Sequence, residues 1–169
     1  MTQSQHSSET LAHGIASEFR RRLLDEQLPR ISRCLRALGD DGVFRRPAPH
    51  CNSAGNLVLH LCGNTTQWIL VTFSSVDDER NRPAEFAADS GYTVEQLIAR
   101  LTDVWTRACA IVDTVPMVEL LRSRRIQQRY EETGLAAILH VLEHCAGHAY
   151  QIYAWTKQAT GQDLRFYDL

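Results

Sequence analysis

Residues 54–72 leave this chain few ways to fold. Leu57, Val58, Leu59, Leu61, Trp68, Ile69, Leu70 and Val71 put apolar side chains nearly all round the axis of a helix built there. A helix without a polar face has to be enclosed by other elements. Ser53 or Asn52 can cap its start, and the remaining chain offers the enclosing partners. Leu24, Leu28, Ile31, Leu35 and Leu38 recur at helical steps of four and three, so an amphipathic helix is expected up to about residue 38. Pro29 lies inside that stripe, which continues on both sides of it, and predicts a kink rather than an end. Gly39 and Gly42 then stop the helix.

Further along, Thr93 and Gln96 form a capping box for a third helix, whose core face is Val94, Leu97, Leu101, Val104, Trp105, Ala108 and Val112. Thr133 can cap a fourth that ends before Gly161. Residues 73–92 show no sustained period and read as a long loop, a kind of connection that often forms lids or pocket walls. Residues 126–130 alternate weakly, enough for a short extended piece. Without a convincing strand set, the expected architecture is all-α, a four-helix bundle. It forms one domain over residues 9–169, behind a polar, frayed tail at 1–8.

Charge and composition exclude several classes of function. A net charge of −2 and a pI near 6.4 argue against a protein built to hold nucleic-acid phosphates. No apolar run reaches the roughly 18 residues of a membrane span, and the first residues lack the apolar core of a signal peptide. The five cysteines are odd in number and scattered without a CxxC pair, the pattern of a reduced, cytoplasmic protein.

The candidate chemistry lies in the last predicted helix. His140, His144 and His148 are spaced four residues apart, so adjacent members lie about 6 Å apart along the axis and the outer two about 12 Å. One ion at bond lengths of about 2 Å cannot bridge the outer two. A single pair is therefore selected, and a further ligand has to come from elsewhere. At about 100° per residue, His148 borders the apolar arc, His144 is next, and His140 points furthest away, toward a rim or a supporting role. His60, on a ridge with Asn64 and Gln67 in the buried second helix, would by itself be a hydrogen-bonded core histidine. The tandem histidines favour it as the third ligand. Cys62 and Cys145 project to other sides of their helices.

Three imidazoles without a fourth protein ligand leave coordination positions open, the catalytic rather than the structural pattern. Imidazole suits zinc, nickel, iron or copper alike. Gln151, one turn from His148, is placed to orient a ligand or a bound water. A rival reading is H-x-x-E-H over His140, Glu143 and His144, the inverted zinc-protease motif. It needs a glutamate ligand well downstream, and no glutamate follows His144.

His60-Leu-Cys-Gly-Asn64, Arg80-Asn-Arg-Pro-Ala-Glu-Phe86, the stretch from His144 to Ile152 and the terminal Phe166-Tyr167 together resemble the DinB-like superfamily, in its uncharacterised bacterial branch. Their order and separation match along nearly the whole chain. The resemblance implies an up-down-down-up four-helix bundle that holds a divalent metal ion, with His60, His144 and His148 as ligands. It also implies an enzyme that transfers a low-molecular-weight thiol to a small electrophile, or uses a metal-activated water. Arg82 and Glu85 become candidates to contact substrate or the site rim if the long loop folds over the pocket. Tyr150 stands where the family commonly has glycine, and could fill space or line the pocket. The alternative is a non-enzymatic, stress-associated binding protein whose metal only staples two helices. A homodimer is compatible with a bundle of this size.

Overall fold

In the computed structural model, which describes residues 3–166, helices account for most of the chain and the only sheet among the described residues is one small hairpin. The first long helical rod comprises α1 (Gln3–Arg20), a π-helical stretch (Arg21–Gln27) and α2 (Leu28–Gly42). Proline has no N–H to donate to the preceding turn, and the rod meets Pro29 with its wider π-helical turns directly upstream. Gly39 marks the expected stop, at φ +67°, although helical bonding resumes to Gly42. Of the expected tail, residues 1 and 2 lie outside the described residues, as does Tyr167, and Gln3 already opens α1.

Helix α3 (Ala54–Thr65) is capped by Ser53, whose side chain exchanges hydrogen bonds with Asn56, and runs on as a π-helical stretch, Thr66–Val71. Eleven of its twelve residues are buried, as its all-round apolar character requires. It packs against α5 (Val94–Val112) and α7 (Gly134–Thr160), while α2 packs against the same two helices from the other side. The capping box of Thr93 and Gln96, the Thr133 cap and the left-handed Gly161 at the end of α7 all occur where sequence placed them.

Two regions differ from the sequence reading. Residues 73–92 contain a short helix, α4 (Arg82–Ala87), capped by Asn81 and opened by Pro83. Six residues are too few to show a period. Residues 117–133 hold α6 (Met117–Leu121) and an antiparallel hairpin, β1 (Ser123–Ile126) with β2 (Tyr130–Thr133). The weakly alternating residues 126–130 are mostly the turn of that hairpin, with Gln127 and Gln128 both at φ +54°, as primed turns demand. No helix among the described residues is long and apolar enough to cross a membrane.

Candidate metal centre

Helix α3 delivers His60 from the middle of the core, 4% exposed, and α7 delivers His144 and His148 from adjacent turns. One nitrogen from each of the three rings lies within 4.8 Å of the others. Two nitrogens bound to one ion at 2.0–2.1 Å are about 2.9–3.4 Å apart for bond angles of 90–109°. The Nε2 atoms of His60 and His144 are 3.0 Å apart, inside that range. All five cysteines are free, and Cys62 and Cys145 are buried away from the triad.

The outer nitrogens of His148 and His60 have partners. His148 Nδ1 donates to Gln151 Oε1 at 2.9 Å, which leaves its Nε2 lone pair free. His60 Nδ1 lies 2.9 Å from Glu85 Oε2 and 3.0 Å from Arg80 Nη2. Glu85 takes two hydrogen bonds from Arg80, at 2.6 and 2.7 Å, and Arg80 Nη1 donates to Gln67 Oε1 at 2.7 Å. Gln127, at the hairpin turn, donates to the same Gln67 oxygen. Burial works against charge on Glu85, but the hydrogen bonds from Arg80 and His60 outweigh it and hold its carboxyl below the ordinary value.

Burial has the opposite consequence for the imidazoles, since it disfavours the cation. His144 is pushed down to about 3, by burial first and then by repulsion from any positive charge on His148, His60, His140 and Arg80. His148 is lowered by burial against the pull of its bond to Gln151, and His140 by burial against Glu143 and Glu132. Neutral rings with free lone pairs are the form that binds metal.

The long loop is a wall of this site, fastened at several points. Asn56 Nδ2 donates to the carbonyls of Glu85 and Ala88, and Arg46 donates to that of Phe86. The Phe86 ring then packs on His60 with centroids 4.7 Å apart. Arg82, expected at the rim, is exposed and stacks on the outer face of Phe86. The arginine beside the histidines is Arg80, two residues earlier in the same motif. Periodicity could not distinguish them, because neither lies in a long helix.

His140 stays outside the triad. It stacks on Trp68 at 3.7 Å and meets Asn64 Nδ2 at 3.2 Å. Glu143 is exposed, so the H-x-x-E-H stretch does not assemble as a protease site. Tyr150 is 60% exposed and its ring contacts Tyr153 on the far side of α7 from the histidines, so it does not line the site. A cavity of about 420 Å³ opens beside Gln151, walled by His50, Cys51, Leu57, Ile152 and Trp155. A larger one, of about 610 Å³, lies across the Arg80–Glu85 pair, and neither cavity is lined by any of the three histidines. Burial pushes the Cys62 thiol on its wall up to about 12, which leaves it protonated and inert.

Three imidazoles from two helices, with no fourth protein donor grouped with them among the described residues, form the kind of site that could hold a divalent ion with positions open to a ligand. The comparison with known families agrees with that class. The family model of the mycothiol S-transferases matches residues 21–153, and the chain belongs to that family, part of the DinB/YfiT-like metalloenzyme superfamily. The matched span contains all three histidines together with Arg80 and Glu85. No curated protein and no solved structure matches the chain.

Proposed function

We propose that this protein is a metal-dependent thiol S-transferase, joining a low-molecular-weight thiol of the mycothiol type to a small electrophile in the reducing cytoplasm. The observation that carries the reading is the convergence of His60, His144 and His148 on one point, within a family defined by this chemistry. The fold that supports it is read as an up-down-down-up bundle of the four long helical rods, with α3 and α7 carrying the ligands.

The residues fit a divalent ion. Nε2 of His60, His144 and His148 would hold it, and zinc, nickel and iron all accept such a set. Because neutral imidazoles cancel none of the ion's charge, it would lower the pKa of an approaching thiol sulfur and supply a thiolate at neutral pH. The chain's own residues do the remaining work. Gln151 orients His148, Phe86 excludes water from one face of His60, and the cavity beside Gln151 offers room for the body of the substrate.

Metal analysis of purified protein tests the first part: about one equivalent is expected, and His148→Ala should abolish it. A conjugation assay with mycothiol and a model electrophile tests the second. Turnover should depend on metal. Metal without turnover across a broad electrophile panel would leave a structural staple between α3 and α7, and no metal under loading conditions would sink the proposal.

A further inference from the structure

Arg80 and Glu85 form an ion pair whose side chains are only 5% and 11% exposed. Breaking such a pair is costly, but compared with apolar packing it adds little net stability, so its place beside His60 calls for another account. Each nitrogen of the Arg80 guanidinium already has a protein acceptor: Nε and Nη2 donate to Glu85 and Nη1 to Gln67. It has the partners of a strut rather than of a substrate anchor.

The backbone makes room for this strut at one residue. A Cβ on Gly63 would lie 2.0 Å from Glu85 Oε1 and 2.6 Å from Arg80 Nε. Gly63 is three residues after His60, on the same face of α3, so any side chain there would occupy the volume of the carboxylate. Glu85 is held from behind as well, its carbonyl taking the Asn56 amide at 2.9 Å.

We propose that Gly63, Arg80 and Glu85 act together as a positioning unit that fixes His60 as the Nδ1–H tautomer, donating to Glu85 and aiming its Nε2 lone pair at the point shared with His144 and His148. The competing tautomer would accept from Arg80 at Nδ1 and donate from Nε2 to His144, 3.0 Å away on each side. It would have no lone pair left to ligate metal. A carboxylate behind a ligating imidazole also raises its basicity, and loss of such a partner weakens metal affinity about 10–100-fold. The inference rests on His60 being a metal ligand, as proposed above.

Two measurements test it. A long-range ¹H–¹⁵N spectrum of the metal-free, histidine-labelled protein at neutral pH should show His60 protonated at Nδ1; protonation at Nε2 overturns the inference whether or not the protein binds metal. Zinc affinity by chelator competition should weaken about 10–100-fold in both Glu85→Gln and Gly63→Ala. Gly63→Ala keeps every charge and hydrogen-bonding group, and the atoms it displaces are side-chain ends, so it remains informative if Glu85→Gln does not fold. Wild-type affinity in a folded Gly63→Ala protein overturns the inference, and so does a raised thiol KM with unchanged zinc affinity in Arg80→Lys. If the wild type itself binds neither zinc, nickel nor iron, the metal reading fails, and the tautomer spectrum still decides this one.

Discussion

Asn56 ties the cap of α3 to the wall of the site, and replacing it by alanine should loosen both. Its side chain is fully buried and makes four hydrogen bonds: it accepts from Ser53 N and Ser53 Oγ, and donates to the carbonyls of Glu85 and Ala88 at 2.9 and 2.6 Å. In Asn56→Ala the Ser53 N–H is left buried without a partner, at a cost of about 1–3 kcal/mol. The Ser53 hydroxyl still accepts from the backbone N–H of residue 56, but its own proton loses the Asn56 oxygen, a further cost of about 0.5 kcal/mol. The two carbonyls belong to a half-exposed segment where water can replace the amide, so each loses about 0.5 kcal/mol. The sum is about 3.5 kcal/mol, which for a domain of this length lowers Tm by roughly 7–14 °C. Urea unfolding followed by circular dichroism measures it. Asn56→Asp keeps the acceptor for Ser53 but turns a second oxygen toward the two carbonyls, so it should be at least as destabilised. A loss below about 1 kcal/mol in Asn56→Ala, or a stable Asn56→Asp, would refute the argument that the amide is shared between cap and wall.

Other outcomes follow from the same geometry. Because His140, His144 and His148 are all held below the ordinary histidine value, His144 down to about 3, the unfolded chain takes up protons first as pH falls. The stability of the metal-free protein should therefore be complete above about pH 6.5 and be lost progressively as pH falls toward 3, with Glu85 acting in the same direction below its ordinary value; a urea midpoint that stays flat from pH 7.5 to 5 would contradict this. A Cβ on Gly134 would lie 2.6 Å from the backbone oxygen of Glu119, whereas one on Gly147 meets nothing within 4 Å. Thermal melts should thus show Gly134→Ala destabilised by about 1–3 kcal/mol and Gly147→Ala, in an open helical position, stabilised by about 0.5–1 kcal/mol. Tyr150→Ala should bind the same metal equivalent as wild type, since its ring lies away from the histidines; loss of metal in that variant would place Tyr150 in the site after all.

Much of this protein is decided by local rules that can be read along the chain. The Ser53, Thr93 and Thr133 caps, the stop at Gly161 and the buried character of α3 depend on hydrogen bonds and periodicity within a few residues of one another. The choice of His144 and His148 over His140 follows from helical geometry in the same way, because an i, i+4 pair bordering the apolar arc has to face a neighbouring helix. Residues outside the long helices are another matter. Arg80 rather than Arg82 reaches His60, Gln127 joins the network through Gln67, and Tyr150 faces water. A loop side chain has no period to give its direction, so its partners are set only when the loop docks on α3. There, Gly63 leaves the space that the Arg80–Glu85 pair fills. The convergence of His144 and His148 on one side of α7 was therefore readable from helical spacing, while the groups that surround His60 exist as a set only in the folded chain.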